Sequence, residues 1–473
     1  MAKKDAARAS YDVVIIGAGI VGSAIARELS GRSLTVALIE GCDDVGDGTS
    51  KANTAILHTG FDATPGTLES RLVSRGYELL GDYALQIGIP VERTGAILVA
   101  WNDEERDALP SLKDKAGRNG YRKCEIIDAE QVYRAVPALG PGVLAGLTVP
   151  DESIICTWTT NLALATDAVR RGTNLTLKFE VDTVEVDTEG TTLRAGDREI
   201  RGRWIVNAAG LGADYIDQMF GHSRFAITPR RGELFVFDKL ARPLVNKIVL
   251  PVPTSRGKGV LVSPTIYGNV MLGPTAEDLN DRSDTSTSED GFDYLVGKGE
   301  SLMPALLREE VTATYAGLRA ASERSDYIIE LDEAQHYLVV AGIRSTGLTA
   351  GMAIAEHVTE ILHNGGLTAD IRTDLPDPPR MPNIGEVGIR PYQDAERIVA
   401  DPEYGRVVCF CERVTAGEIR DAMCSTIPPA AIEGLRRRTR AVNGRCQGFF
   451  CAAEVGRLVG NDYSTIEQGE SGG

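Results

Sequence analysis

Tyr11-Asp-Val-Val-Ile-Ile-Gly17-Ala-Gly19-Ile-Val-Gly22 is the stretch that decides the fold of this chain. Its short β-branched apolar run is of the kind that forms a buried parallel strand. The run ends in a Gly-x-Gly-x-x-Gly turn, and Ser23-Ala-Ile-Ala26-Arg-Glu-Leu29 continues as a helix with small residues toward the sheet. Gly17 permits the tight turn, Gly19 lets a pyrophosphate approach the backbone, and Gly22 lets helix and strand pack closely. The helix N-terminus offers N–H groups and a positive dipole end to the phosphates. A second strand, Leu34-Thr-Val-Ala-Leu-Ile39, ends at Glu40, where a carboxylate receives the ribose hydroxyls of an adenine dinucleotide. A glycine triplet alone is a weak signal. Strand, triplet, helix and acid together predict dinucleotide binding.

Further along, Gly48-Thr49-Ser50-Lys-Ala-Asn53-Thr-Ala-Ile-Leu-His58-Thr-Gly60 is polar and glycine-flanked, as a loop beneath a redox-active ring would be. Trp204-Ile-Val-Asn207-Ala-Ala-Gly210 reads as another buried strand ending in small residues. Val339-Val-Ala-Gly342-Ile-Arg344-Ser-Thr-Gly347 is a third, leading into a helix from Ala350 to Leu362.

Composition bounds the rest. The 473 residues are enough for two or three domains with substantial cores. A net charge of −17 argues against a nucleic-acid or anionic-membrane partner for the chain as a whole. Residues 1–10 lack the apolar core of a signal peptide, and no uninterrupted apolar run is long enough to span a bilayer. Eight cysteines without an export signal argue against a disulfide framework and for a cytoplasmic protein. Four of them, Cys42, Cys124, Cys156 and Cys424, are expected as free thiols buried like small hydrophobes.

The other four form Cys409-Phe-Cys411 and Cys446-Gln-Gly-Phe-Phe-Cys451. Four thiolates suit either tetrahedral zinc or a [2Fe–2S] cluster. Zinc ribbons usually pair two C-x2-C knuckles, which this spacing fits poorly; zinc and unmetallated thiols stay open as weaker alternatives. Thr415 with Glu418 reads as a capped helix start, and Pro429 to Arg438 as a second helix. Between 406 and 460 nine arginines face five acids in an otherwise acidic chain. Arg436-Arg-Arg-Thr-Arg440 is expected either to face an anionic cluster or to be a solvated helix face.

On Gly17, Gly19, Gly22 and Glu40, the Thr49-Ser50…His58-x-Gly60 loop, Asn207-Ala-Ala-Gly210, Tyr315-Ala-Gly-Leu-Arg319 and Gly342-Ile-Arg344-Ser-Thr-Gly347-Leu-Thr349, the chain resembles the D-amino-acid-oxidase-like FAD oxidoreductases. Within them it is similar to the A subunits of anaerobic glycerol-3-phosphate dehydrogenases. Its cysteine module resembles the bacterioferritin-associated-ferredoxin-like [2Fe–2S] domain, although small prototypes carry C-x2-C where this chain has C-x4-C. The resemblance implies an α/β chain: a discontinuous Rossmann-like FAD-binding domain (11–85, 145–225 and 320–365) and an antiparallel-sheet substrate domain (86–144 and 226–319). A Pro-rich linker (366–403), a small helical [2Fe–2S] domain (404–460) and a flexible tail (461–473) complete it.

The cofactors implied are FAD, contacted by Gly17, Gly19, Gly22, Glu40, Thr49, Ser50, Val181, Gly210, Gly342 and Gly347, and a [2Fe–2S] cluster on Cys409, Cys411, Cys446 and Cys451. His58 is the candidate for proton transfer, because imidazole titrates near neutrality. Arg319 and Arg344 are the candidates for binding a carboxylate or phosphate, with Arg231 a weaker third; a planar guanidinium suits either anion. Ala320 stands where a proline often follows Gly-Leu-Arg in similar enzymes. The function implied is oxidation of a small anionic alcohol, first sn-glycerol 3-phosphate, with electrons passed through the cluster to a partner redox subunit or quinone, and peripheral membrane contact through that partner. The alternatives are an L-2-hydroxyglutarate-type dehydrogenase or oxidase, an opine or imino-acid oxidising enzyme, and a non-catalytic electron-transfer subunit.

Overall fold

The computed structural model describes residues 10–253 and 259–460; the tail expected at 461–473 lies outside the described residues. Five parallel strands organise the first layer: β1 (Ser10–Ile16), β2 (Val36–Ile39), β3 (Asn174–Thr176), β4 (Arg198–Asn207) and β5 (Tyr337–Ala341). Their spatial order is 3-2-1-4-5, so the direction of winding reverses between β1 and β4. That is the switch point at which doubly wound sheets bind dinucleotides beyond their carboxyl ends. Successive β1 side chains bury on opposite faces, Val13 and Ile15 in one core and Val14 and Ile16 in another. Both faces are covered, which explains the unbroken apolar run. The helices Ile20–Leu29, Thr157–Arg170 and Gly347–Asn364 pack on one face.

The close fit of helix to turn is steric. A Cβ on Gly22 would lie 1.8 Å from the Gly17 carbonyl oxygen, so only glycine permits this packing.

A nine-stranded, mostly antiparallel sheet forms the second layer. Its longest pair joins Ile227–Phe237 to Val311–Ser322, with Arg230 opposite Arg319. Strand Ala145–Val149 pairs with Ala96–Ala100 and Glu125–Asp128 in this sheet, although its residues fall in the segment expected for the first layer. An apolar stretch cannot announce which of two sheets it joins.

Residues 366–403 leave the helix Gly347–Asn364 and stay attached along their length. Ile371 bridges to Arg32, the Met381 N–H donates to the Ile87 carbonyl, and the Glu386 N–H donates to the Ile266 carbonyl. The module that follows has two short strands, Val407–Cys409 and Val414–Thr415, and helices Ala416–Met423, Ile432–Thr439 and Ala452–Val459 around its own small core. Thr415 and Glu418 form the expected capping box. Among the four scattered cysteines, Cys124 and Cys156 are buried as expected; Cys42 and Cys424 are exposed, because each sits in a connection beyond an element end.

Candidate functional site

The glycine turn ends β1 with Gly17 at φ +100°. Ser50, from the loop 48–60, reaches over it: its Oγ accepts the Ile20 N–H at 2.9 Å. Glu40 at the end of β2 turns its carboxylate to the same turn, accepting the Ala18 N–H at 2.7 Å and the Cys42 N–H at 3.0 Å. Val181 is buried just beyond Phe179, whose N–H donates to the Glu40 carbonyl. Gly210 follows β4 at the switch point, with φ +59° and open space where a side chain would stand. Gly347 opens the helix Gly347–Asn364 against Ile20, and Gly342 (φ +66°) ends β5. The sequence-predicted cofactor positions are thus gathered along the carboxyl edge of one sheet. A Cβ-free turn, a helix N-terminus directly behind it and an acid at the next strand end are what an adenine dinucleotide requires, so these residues fit FAD.

The loop 48–60 is stapled to the second sheet. Thr49 Oγ1 donates to the Leu318 carbonyl (2.8 Å), and the Tyr315 hydroxyl donates to the Asn53 carbonyl (2.8 Å). A Cβ on Gly317 would lie 2.2 Å from the Ala52 oxygen, so a glycine is required where loop and strand touch. At the loop's other end the His58 N–H donates to Thr349 Oγ1 (3.0 Å). Its Nδ1 lies 3.1 Å from Oε2 of Glu152, a carboxylate with no solvent exposure. Glu152 Oε1 accepts both the N–H and the hydroxyl of Thr59. Sequence reasoning missed Glu152. The available signal was an acid set directly before the apolar Ser153-Ile-Ile155.

Arg319 projects from the long strand pair, its guanidinium packed over Gly232, where a Cβ would lie 2.7 Å from Nη2. Burial, with the like charge of Arg230, holds its pKa below the usual arginine range. Arg230 itself is locked to Asp278. No carboxylate among the described residues pairs with Arg319. The other two arginines are engaged. Arg344 donates to the Ser325 carbonyl (2.6 Å) and to Glu69 (3.2 Å), and Arg231 is buried against Glu277 and Asp284. Of the three expected anion binders, the structure leaves Arg319 alone without an acidic partner.

The four module cysteines stand as two pairs. Cys409 is within hydrogen-bonding reach of Cys451, and Cys411 of Cys446. Among the described residues no three Cys, His, Asp or Glu converge as one metal ion would need. Two plus two is the donor pattern of a binuclear cluster, in which each iron takes two thiolates, and not of one tetrahedral zinc. Backbone N–H groups also aim at the sulfurs: those of Glu412 and Val442 at Cys409, and those of Phe450 and Gly448 at Cys446. The Cys451 thiol, with the Glu412 and Val442 N–H groups, brings Cys409 down to about 6 against its burial. Val442 holds φ +60°, a rare conformation for a β-branched residue. The donor chemistry fits an anionic thiolate-bound cluster.

The arginine helix is neither a solvated face nor ranged as a whole against the cysteines. Arg438 is buried in a two-pronged pair with Asp44, Arg437 bonds Asp44 and Asp47, and Arg440 bonds Glu412 within the module. Arg437 and Arg438 face the nucleotide-binding layer across the seam, and Arg440 lies beside the residue whose N–H points at Cys409.

An FAD dependent oxidoreductase family model matches residues 12–361, and a BFD-like [2Fe-2S] binding domain model matches residues 407–461. A glycerol 3-phosphate dehydrogenase of Caloramator mitchellensis is 35% identical over 98% of this chain and 97% of its own length. An L-2-hydroxyglutarate dehydrogenase of Arabidopsis thaliana is 28% identical over 74% of this chain and 83% of its own. The solved structure of dithionite-reduced L-alpha-glycerophosphate oxidase from Mycoplasma pneumoniae with FAD bound superposes with a TM-score of 0.74. It is 28% identical and covers 79% of this chain and all of its own. Among the described residues no helix is long and apolar enough to cross a membrane.

Proposed function

The chain belongs to the family of FAD dependent oxidoreductases, with a BFD-like [2Fe–2S] domain behind the flavin-binding part, and on that premise we propose that it oxidises sn-glycerol 3-phosphate to dihydroxyacetone phosphate. Electrons then leave through a cluster held by Cys409, Cys411, Cys446 and Cys451. A partner redox subunit or quinone, met at the membrane surface, collects them.

Arg319 carries this reading. A guanidinium that is mostly buried beside another arginine, with no carboxylate paired to it among the described residues, is costly unless an anion completes it. A phosphate supplies the charge and the paired oxygens that a planar guanidinium matches. Gly232 leaves the space in which that guanidinium lies.

The reaction removes two electrons and two protons from the secondary alcohol. FAD, held by Gly17, Gly19, Gly22 and Glu40, would supply the acceptor for the hydride of the carbinol carbon. His58 takes the hydroxyl proton. Glu152 fixes which ring nitrogen does so: accepting a hydrogen bond from Nδ1–H, it leaves Nε2 as the base and stabilises the imidazolium that forms. Thr59 holds the other oxygen of Glu152, so the carboxylate cannot swing away. Thr49 and Ser50 tie the His58 loop to the Arg319 strand and to the glycine turn.

Arg319 would also accept a carboxylate. Phosphate is preferred because the glycerol 3-phosphate dehydrogenase relative aligns over essentially the whole chain, cysteine module included. The test is anaerobic bleaching of the flavin with glycerol 3-phosphate, L-2-hydroxyglutarate and proline-like amines in turn. Rapid bleaching by glycerol 3-phosphate is expected. Bleaching by one of the others alone would reassign the substrate, and bleaching by dithionite only would leave the chain without a dehydrogenase activity of its own.

A further inference from the structure

We propose that Trp158, Tyr267 and Arg440 form the route by which electrons cross from the flavin-binding loop to the cysteine cluster. The proposal rests on the reading above that both redox groups are bound in one chain.

Each residue comes from a different part of the molecule. Trp158 is in the first turn of the helix Thr157–Arg170, and its Nε1–H donates to the Lys51 carbonyl (3.0 Å) in the loop that caps the glycine turn. Tyr267 comes from the hairpin loop between strands Leu261–Pro264 and Val270–Gly273 of the second sheet. Its ring stacks on Trp158 with centroids 5.0 Å apart and planes inclined at 27°. Arg440 ends the helix Ile432–Thr439 of the cysteine module, and its guanidinium lies 4.2 Å from the Tyr267 ring centroid and 5.8 Å from that of Trp158.

Beyond Arg440 the contacts reach sulfur through one residue, Glu412. Arg440 Nε donates to Glu412 Oε2 at 2.7 Å, and the N–H of Glu412 points at Cys409. Two residues on from Arg440, the N–H of Val442 points at Cys409 and Cys451. Three delocalised groups therefore stand in file from the flavin loop to the cluster turns, with no saturated side chain between them. Mere docking does not need this. Arg437, Arg438 and Arg445 already tie the module to the body by ion pairs, and Glu412 alone would satisfy the Arg440 charge. The Tyr267 hydroxyl is held by Cys156 Sγ at 3.1 Å, which fixes the ring in the stack. Coupling through a protein follows contiguous packed groups of this kind.

Each crossing oxidises the flavin side by one electron and reduces the cluster by one. A second crossing follows when an external one-electron acceptor, a redox protein or quinone, has re-oxidised the cluster. The proton that arrived with the hydride goes to solvent.

The experiment uses the full chain carrying both groups. The flavin is reduced anaerobically by glycerol 3-phosphate and, in a parallel arm, by a dihydronicotinamide, so that a wrong substrate does not spoil the test. Flavin bleaching is followed by absorbance and cluster reduction by freeze-quench EPR. Trp158→Leu and Tyr267→Leu are expected to slow cluster reduction about tenfold or more. Flavin bleaching, FAD content, iron content and the cluster potential should stay at wild-type values, and Trp158→Phe and Tyr267→Phe should recover most of the rate. Unchanged cluster reduction in both leucine variants overturns the route. So does a loss that in Tyr267→Leu tracks missing FAD or iron, or one that the phenylalanine variants fail to restore. If Trp158→Leu loses FAD through its contact with Lys51, Tyr267→Leu decides, since among the described residues Tyr267 makes no hydrogen bond to that loop.

Discussion

In the nucleotide-binding layer, β1 and β2 bury Val13, Val14, Ile15, Ala37, Leu38 and Ile39 without exposure, and helix and turn meet through glycine. Across the seam to the cysteine module charge takes the larger part: Arg438 and Arg437 on Asp44, Lys239 on Glu412, Arg445 on Asp238. Apolar burial supplies roughly 25 cal/mol per Å² and has no direction, so it stabilises a layer without fixing how a neighbour is turned. Buried ion pairs contribute little net stability once desolvation is counted, yet removing one partner is costly, and their geometry admits one orientation. The body is held together by area and the module is aimed by charge. That suits a cluster whose use depends on where it points.

Four substitutions or conditions probe this division, the largest effect first. Cys446→Ser should abolish the cluster signal entirely while substrate still bleaches the flavin; loss of bleaching as well would mean that the two regions are not separable. Arg319→Ala should raise KM for the anionic substrate about a hundredfold, as loss of a buried charge partner does, with FAD content and cluster EPR unchanged. An equal loss of FAD would make Arg319 part of the body's framework instead. Asp44→Ala strands Arg438 in the seam and should lower the stability of module docking by about 3 kcal/mol, read by hydrogen exchange in the helix Ile432–Thr439. Unchanged protection there would show that apolar contacts hold the module after all.

The smallest effect is on pH. Asp44 and Glu412 are both held below their ordinary values of 3.8 and 4.5. Burial opposes this, and it is overcome by Arg438 at Asp44 and, at Glu412, by Arg440 of the same module together with Lys239 across the seam. Their contribution to docking is therefore complete above those ordinary values and is lost as pH falls through the depressed ones. Protection of the seam should fade below about pH 4, and less steeply in Asp44→Asn. A seam that loosened on raising the pH would contradict the assignment.

Much of the body was legible because its signals are local. A glycine turn must be contiguous to work, and the acid that ends β2 follows at a distance set by one helix and one strand. The paired cysteines were legible as a set for the same reason, since C-x-C and C-x4-C each lie within a single turn. Glu152 was not, because its meaning comes from His58, far away in the chain and joined to it only by the fold. Arg344 and Arg319 look alike in sequence, each beside a glycine near a strand end. Only the packing gives Glu69 to one and no acid to the other.

By itself, the sequence determined that this chain binds a dinucleotide at a strand-turn-helix and carries four thiols able to hold metal, since both depend on residues a few positions apart. The tertiary structure decided which arginine has no acidic partner among the described residues, which carboxylate bonds His58, and that Arg437 and Arg438 face the body while Arg440 lies between the body and Glu412. Those are questions of charge pairing across long separations in the chain, and burial in the folded molecule determines which pairs can form.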